Sequence, residues 1–223
     1  MLLDMVGFTM IIPDIATRAR SFGSPEWLIG TMLSSMFVVQ FLVSPRWGVL
    51  ADRAGRRNVM VGCTLISALA MLVYAFADSM PWLFASRILA GLGAANVAVG
   101  MAYITTTVAE EKKAQALGHA SGAMQIGMVI GPALGGFTAK LGGNFWVGMI
   151  GGGLSLVGAV AAWKLVPKDT VKRAEDSASK SERVGALEAL KQTPALIPLM
   201  VLASIAWFSL ASLEGTFAQL LRD

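Results

Sequence analysis

The chain has 223 residues, of which 55% are hydrophobic and only 14% are charged, and its formal net charge is +4. Soluble domains usually carry about a quarter charged residues, so this composition excludes a water-soluble globule and indicates a polytopic membrane protein. The basic residues fall in loops on one side of the predicted membrane, and we therefore exclude nucleic acid as the partner.

Apolar runs of about 20 residues recur along the chain, and each can form an α-helix that crosses a hydrocarbon core about 30 Å thick. The first run, residues 1–16, is short. Asp4 lies about 18 Å from its far end, close to the middle of the membrane. We expect that the native first span begins upstream of Met1. The next five predicted spans are residues 27–48, 58–77, 82–108, 116–139 and 145–166.

A polar and charged segment, residues 167–194, follows the sixth run. Within it Val184, Leu187 and Leu190 recur at three-residue intervals, which predicts a short amphipathic helix on the membrane surface. A seventh apolar run begins at Ala195. The predicted domains are therefore a six-helix transmembrane bundle with a truncated first helix, a cytoplasmic linker, and a seventh span that begins an incomplete second bundle: residues 1–166, 167–194 and 195–223.

The distribution of basic residues predicts the orientation. Of the 18 lysines and arginines, Arg87 lies inside a span, four lie in loops on one side of the membrane, and all the others lie on the opposite side. Cytoplasmic loops carry the excess of lysine and arginine, so the N-terminus and the linker are predicted to be cytoplasmic. We expect an integral protein of the inner (plasma) membrane of the cell.

The turn after the second span is the most informative stretch of the sequence: Gly48-Val49-Leu50-Ala51-Asp52-Arg53-Ala54-Gly55-Arg56-Arg57. Glycine permits a sharp turn, and Asp52 could cap the next helix or neutralise the adjacent arginines. The stretch resembles the loop motif G-x-L-A-D-R-x-G-R-[RK] of the major facilitator superfamily at every defined position. A basic loop that only fixes the orientation is the alternative.

The resemblance implies an all-α fold, namely the N-terminal six-helix half of a major facilitator transporter plus the first helix of the second half. In that family, two six-helix bundles face each other across a central cavity. The resemblance also implies a conformational latch whose partners lie in the missing C-terminal helical bundle. Its residues would be Gly48, Asp52, Arg53, Gly55, Arg56 and Arg57.

The fifth span is rich in glycine and also contains a proline. It resembles the antiporter motif g-x8-G-x3-G-P-x2-G-G, with the matching residues Gly118, Gly127, Gly131, Pro132, Gly135 and Gly136. In a bilayer such a run stays helical, because backbone polar groups must be satisfied internally. The resemblance implies export in exchange for protons. A tight helix crossing without bearing on the direction of transport is the alternative.

Three ionisable residues inside predicted spans, Asp4, Arg87 and Glu214, are candidates for proton coupling, because buried charges in a bilayer are costly. The segment 83–95 resembles the fourth-helix motif of the family, except that Ala90 stands where a glutamine is usual. The segment 3–13 resembles the first helix of drug and tetracycline efflux members. The resemblance implies that Arg87 assists proton transfer, and we expect Asp4 to be the carboxylate that faces it.

Each of these residues has a plainer interpretation. Arg87 could extend to the outer interface, Asp4 could cap a truncated helix, and Glu214 could be an interfacial acid. Three isolated polar residues could line a substrate cavity or form hydrogen bonds across helices: Gln40, Asn96 and Gln125. The sequence shows no metal-ligand spacing and no nucleophile–base pair, so we predict neither a metal site nor an enzyme. For the single cysteine, Cys63, we predict a packing role.

The leading hypothesis is a secondary active transporter that exports drugs or small metabolites by alternating access in the lipid bilayer. It would be driven by a proton gradient and need no other cofactor. A proton-coupled uptake symporter on the same scaffold and a non-transporting truncated fragment are the alternatives.

Overall fold

The computed structural model describes residues 1–167 together with Pro198, Val201, Leu202 and Ile205. The chain divides into two compact units, residues 1–174 and 175–223. The four described residues of the second unit are helical. In the first unit every regular element is an α-helix, as predicted: α1 (Leu2–Thr9), α2 (Ile12–Ser21), α3 (Glu26–Ala54), α4 (Arg56–Ala75), α5 (Met80–Gly93), α6 (Asn96–Thr107) and α7 (Glu110–Leu165).

Four helical segments are long and apolar enough to cross a membrane: Glu26–Ala54, Arg56–Ala75, Met80–Thr107 and Glu110–Leu165. The last has 56 residues, which at 1.5 Å per residue is about 84 Å, far more than one bilayer requires. Gly142 and Gly143 leave the helical conformation within it, and Gly143 has φ 73°, which glycine adopts without steric cost. This break divides α7 into two spans, close to the predicted turn at residues 140–144.

The predicted end of the first span at residue 16 is wrong. The short helices α1 and α2 follow each other as far as Ser21, and Met10 and Ile11 between them keep dihedral angles near those of a helix. Pro13 lies in the first turn of α2, where its missing amide hydrogen costs no hydrogen bond. Asp4 consequently lies about 25 Å from the far end of this span, not about 18 Å.

The predicted end of the second span at residue 48 is also too early. Helix α3 continues past Pro45 as far as Ala54, and only Gly55, with φ 87°, separates it from α4. Asp52 is therefore a residue of α3, and the helix α4 has no side-chain cap at its N-terminus. Of the two roles considered for Asp52, capping of the next helix is therefore wrong, whereas its contact with Arg56 agrees with the neutralisation of an adjacent arginine.

The fourth predicted span is interrupted at Ala94 and Ala95, although both keep near-helical dihedral angles. The core of the bundle is built mainly by α1, α4 and α7, which pack against one another. Its largest fully buried side chains include Tyr74, Met71 and Val147. Large apolar side chains also cover much of the outer surface, as expected for helices that contact lipid.

Candidate functional site

The carboxyl group of Asp4 lies inside the bundle, where three other helices meet α1. Its exposed fraction is 7%. The Oδ1 atom accepts a hydrogen bond of 3.0 Å from Ser155 Oγ on α7, and the Oδ2 atom accepts one from Asn96 Nδ2 on α6. Asn96 Nδ2 also lies 3.4 Å from Thr64 Oγ1 on α4. We call these four residues the Asp4 site.

Glycine determines how closely α7 approaches the helix that carries Asp4. A Cβ atom on Gly7 would lie 2.6 Å from the carbonyl oxygen of Gly151 and 3.2 Å from Ser155 Oγ. Real Cβ atoms do not tolerate the first of these distances, so only glycine at position 7 lets α1 lie this close to the second span of α7. This contact is what brings Ser155 within hydrogen-bonding distance of Asp4.

The glycines of the fifth-span motif pack against the opposite side of α1. A Cβ atom on Gly131 would lie 1.8 Å from Thr9 Oγ1, and one on Gly135 would lie 1.9 Å from the carbonyl oxygen of Met10. Thr9 Oγ1 also donates a hydrogen bond of 3.1 Å to the carbonyl oxygen of Gly127. The helix α1 is therefore held between the two spans of α7.

The remaining glycines of the motif do not share this contact. A Cβ atom on Gly118 or Gly136 would have no atom within 4 Å among the described residues. Pro132 lies inside α7, and the helix keeps its dihedral angles through this position. The predicted helical character of the motif is thus present, and its tight crossing involves every fourth residue from Gly127 to Gly135.

Arg87 is buried, with an exposed fraction of 3%, so its side chain does not extend to the interface. Its Nε atom lies 3.4 Å from Ser86 Oγ, and its Nη2 atom has no hydrogen-bond partner within the described ranges. No ion pair within 4 Å joins Arg87 to Asp4 in this part of the chain. The side chains that contact the carboxylate oxygens of Asp4 are those of Asn96 and Ser155, and the expected pairing with Arg87 is not among these contacts.

The small residues after Arg87 form a close helix contact. A Cβ atom on Gly91 would lie 2.5 Å from the carbonyl oxygen of Met36 on α3. One on Gly93 would lie 2.8 Å from the carbonyl oxygen of Cys63 on α4. The helices α3 and α4 therefore both approach the backbone of α5 closely at these two glycines.

The predicted latch residues lie at the α3–α4 junction. Arg56 Nη2 lies 3.4 Å from Asp52 Oδ1, and Arg56 Nη1 donates a hydrogen bond of 3.0 Å to the carbonyl oxygen of Ala102 on α6. Arg57 donates to the carbonyl oxygen of Trp163, and its guanidinium group lies 4.6 Å from the centre of the indole ring. Arg53 is exposed on the last turn of α3.

A small cavity of about 250 Å³ opens beside this junction, between α3 and α6. Gly48 belongs to its wall, and Asp52 and Arg56 are its charged residues. The other lining residues are small or apolar: Ser44, Ala51, Ala95, Ala98, Val99 and Ala102.

The three polar cavity candidates have different surroundings. Asn96 is 4% exposed and bonded to Asp4, so it forms a hydrogen bond across helices. Gln40 is half-buried and Gln125 is exposed, and neither side chain forms a hydrogen bond with the residues that the structure describes. Glu214, residues 168–194 and most of the predicted seventh span lie outside the described residues, so their predicted roles stay predictions.

A second polar cluster, which the sequence reasoning missed, joins α2 to the end of α4. The Tyr74 hydroxyl donates a hydrogen bond to Asp14 Oδ2. Arg18 donates to the carbonyl oxygens of Tyr74 (2.7 Å) and Ala77, and its guanidinium group lies 5.0 Å from the centre of the Tyr74 ring. Asp14 and Arg18 are four residues apart on one helix face, which was the available signal. Ser155, by contrast, has no distinctive sequence context.

The bundle of apolar helices around buried polar groups is that of an integral membrane protein. The family model of the Major Facilitator Superfamily matches residues 1–222, and the chain belongs to this family. Family membership indicates a transporter and not an enzyme.

Several curated relatives are named as drug resistance proteins. The chain is 29% identical to the multi-drug resistance efflux pump PmrA of Streptococcus pneumoniae over 99% of this chain and 56% of the relative. It is 33% identical to the PmrA homolog of Lactococcus lactis over 70% of this chain and 38% of the relative. It is 29% identical to the class B tetracycline resistance protein of Escherichia coli over 63% of this chain and 36% of the relative. The names of these relatives describe drug efflux and drug resistance.

A solved structure, the human organic anion transporter MFSD10 (TETRAN), has the same fold. The TM-score is 0.67 at 22% identity, over 75% of this chain and 45% of the other chain. At this identity the similarity shows the fold alone. The chain spans about half the length of the curated relative that it matches over nearly its whole length, which agrees with half of a major facilitator fold.

Proposed function

We propose that this chain is half of a transporter that exports drugs or small metabolites by alternating access, in exchange for protons. The observation that carries the proposal is the buried carboxyl group of Asp4, which no lysine or arginine of the described residues neutralises within 4 Å. A carboxylate isolated in a bilayer is costly, and binding a proton removes that cost. A proton gradient would be the energy source, with no other cofactor.

The direction of transport is supported by the glycine motif of α7 and by the names of the relatives, which describe efflux and resistance. The missing C-terminal bundle would supply the second wall of the substrate cavity and the partners of the latch residues. We further propose a plasma-membrane location with a cytoplasmic N-terminus and linker. Arg87 and Glu214 remain candidates for proton coupling besides Asp4.

The test is transport in everted membrane vesicles that contain the gene product as it is expressed, with tetracycline and a fluorescent lipophilic cation as probes. An acidic lumen should drive probe accumulation, and Asp4→Asn should abolish it without loss of the protein from the membrane. Asp78→Asn, which changes an exposed aspartate in the α4–α5 turn, is the matched control.

Three results would contradict the proposal. Full gradient-driven accumulation in the Asp4→Asn variant would remove Asp4 from the coupling mechanism. Release of probe from the vesicles together with protons would favour the uptake symporter. An absence of any gradient-dependent flux would favour a non-transporting fragment.

A further inference from the structure

We propose that Asn96 and Ser155 are positioning residues that hold the carboxyl group of Asp4 and set the pH at which it exchanges a proton. The inference rests on the proposed function, in which Asp4 is the proton-coupling acid. It gives Asn96 a role inside the bundle and not in the wall of a substrate cavity.

The two residues donate to different oxygens of the same carboxyl group. Ser155 Oγ contacts Oδ1 at 3.0 Å, and Asn96 Nδ2 contacts Oδ2. Asn96 is 4% exposed and Ser155 is fully buried, so bulk water does not replace either donor. Hydrogen bonds to a charged group are stronger than those between neutral groups, and these two neutral donors are what stabilises the ionised state of Asp4 here.

Asn96 is held in place by a third helix. Thr64 donates its own hydroxyl proton to the carbonyl oxygen of Met60 at 2.9 Å, which leaves its lone pairs free to accept from Asn96 at 3.4 Å. The amide nitrogen therefore has two acceptors, one on Asp4 and one on Thr64. This arrangement fixes the amide as a donor to the carboxylate.

Ser155 can serve both protonation states. A hydroxyl group donates to a carboxylate and, after rotation, accepts a hydrogen bond from a carboxylic acid. Protonation of Asp4 on Oδ1 would thus reverse the bond between α1 and α7 without leaving either group unsatisfied. Both carboxylate oxygens are in direct contact with side-chain donors, an arrangement that suits the binding of a proton.

The experiment measures the protonation of Asp4 directly, in membranes that contain the expressed gene product. Dicyclohexylcarbodiimide modifies protonated carboxyl groups in apolar surroundings, and mass spectrometry of the peptide with Asp4 gives the labelled fraction at each pH. Ser155→Ala and Asn96→Ala each remove one donor. Thr138→Val is the matched control, because the Thr138 hydroxyl is buried on α7 but donates only within its own helix.

We expect Ser155→Ala and Asn96→Ala to shift the labelling midpoint in the same direction, each by about one pH unit, since each removes a donor to the charged form. Thr138→Val should leave the midpoint unchanged. Midpoints in both variants equal to that of the unmodified protein would overturn the inference, even if transport were lost. If Asn96→Ala fails to insert, Ser155→Ala alone decides.

The labelling result is independent of transport. If Asp4→Asn keeps gradient-driven efflux, the proposed function fails, and the midpoints still report whether Asn96 and Ser155 control the protonation of Asp4. If efflux depends on Asp4 but the midpoints do not move, the proposed function stands and the inference fails.

Discussion

Ser155 Oγ donates a hydrogen bond of 3.0 Å to Asp4 Oδ1, although the two residues are 151 positions apart in the chain. The bond joins the first helix of the bundle to the second span of α7, at the place where Gly7 and Gly151 let the two backbones approach. The buried acid is therefore satisfied by a residue from the far end of the described bundle. Close packing and the polar site depend on the same contact.

Gly131→Ala should destabilise the bundle, because the new methyl group would lie 1.8 Å from Thr9 Oγ1 if nothing moved. Overpacking of this kind typically costs about 1–3 kcal/mol. We therefore expect a clear fall in the thermal unfolding midpoint in detergent, measured by fluorescence-detected size-exclusion chromatography.

The matched control is Gly136→Ala in the same motif, where no atom of the described residues lies within 4 Å of the added methyl group. Alanine also favours a helix by up to about 1 kcal/mol over glycine, so this variant should be at least as stable as the parent. Equal losses in Gly131→Ala and Gly136→Ala would show that the two positions do not differ in packing.

Tyr74→Phe should cost about 1 kcal/mol of stability, the usual contribution of one hydrogen bond, because it removes the bond to Asp14 and leaves that carboxyl group without its donor. Tyr103→Phe is the control, since its hydroxyl is exposed and makes only a contact of 3.5 Å with the carbonyl oxygen of Pro167. Chemical unfolding in mixed micelles measures the free energy of unfolding of both variants. A similar loss in both variants would contradict a specific role of the Tyr74 bond.

Asp52→Asn should lower the transport rate while leaving the stability of the fold unchanged. Asp52 is exposed, and its distance from Arg56 is 3.4 Å, so the pair contributes less than about 1 kcal/mol to folding. If the latch proposal is right, the same change weakens a closed conformation of the whole transporter. A shift of 1.4 kcal/mol in the free energy of that closed conformation would change its equilibrium constant about tenfold.

The measurements are the thermal midpoint and the initial rate of probe accumulation in everted vesicles. We expect an unchanged midpoint and a rate lower by about tenfold, by the same conversion. Glu110→Gln changes another exposed acid, which pairs with Lys113 three residues away, and serves as the control. An unchanged rate in Asp52→Asn would remove this residue from the latch.

The order of the spans could be predicted from the sequence, but the ends of the helices could not. Hydropathy shows where an apolar run stops, whereas a helix continues for as long as its backbone hydrogen bonds are formed. The helix α3 therefore extends through Asp52 and Arg53 to Ala54, outside the predicted apolar run. The break at Gly142 and Gly143 was predictable, because two adjacent glycines stand between two runs of sufficient length.

One such boundary changes the expected depth of Asp4. Ending the first span at residue 16 and not at Ser21 shifts the expected depth of Asp4 by about 7.5 Å along the membrane normal. Arg87 was expected to face Asp4 because of the family resemblance, whereas Asn96 lies about 14 Å further along the same predicted span and is closer to the depth of Asp4 with either boundary. Ser155 was out of reach of sequence reasoning, because periodicity does not show which helix faces which across the bundle.

The orientation can be tested because Cys63 is fully buried and is the only cysteine. A membrane-impermeant maleimide should not label it in intact cells or in everted vesicles. Introduced cysteines can therefore be tested in the chain without removing Cys63. Asp78→Cys lies in the exposed α4–α5 turn, and Glu111→Cys lies in the exposed first turn of α7.

With the N-terminus in the cytoplasm, Asp78→Cys should be labelled from outside in intact cells and protected in everted vesicles. Glu111→Cys should show the reverse, because one membrane crossing, the segment Met80–Thr107, separates the two positions. The opposite pattern would invert the orientation that the basic loops predict, and labelling of both variants from one side would mean that this segment does not cross the membrane. Labelling of the unmodified chain would contradict the burial of Cys63 among Ala51, Val59, Ala95 and Val99.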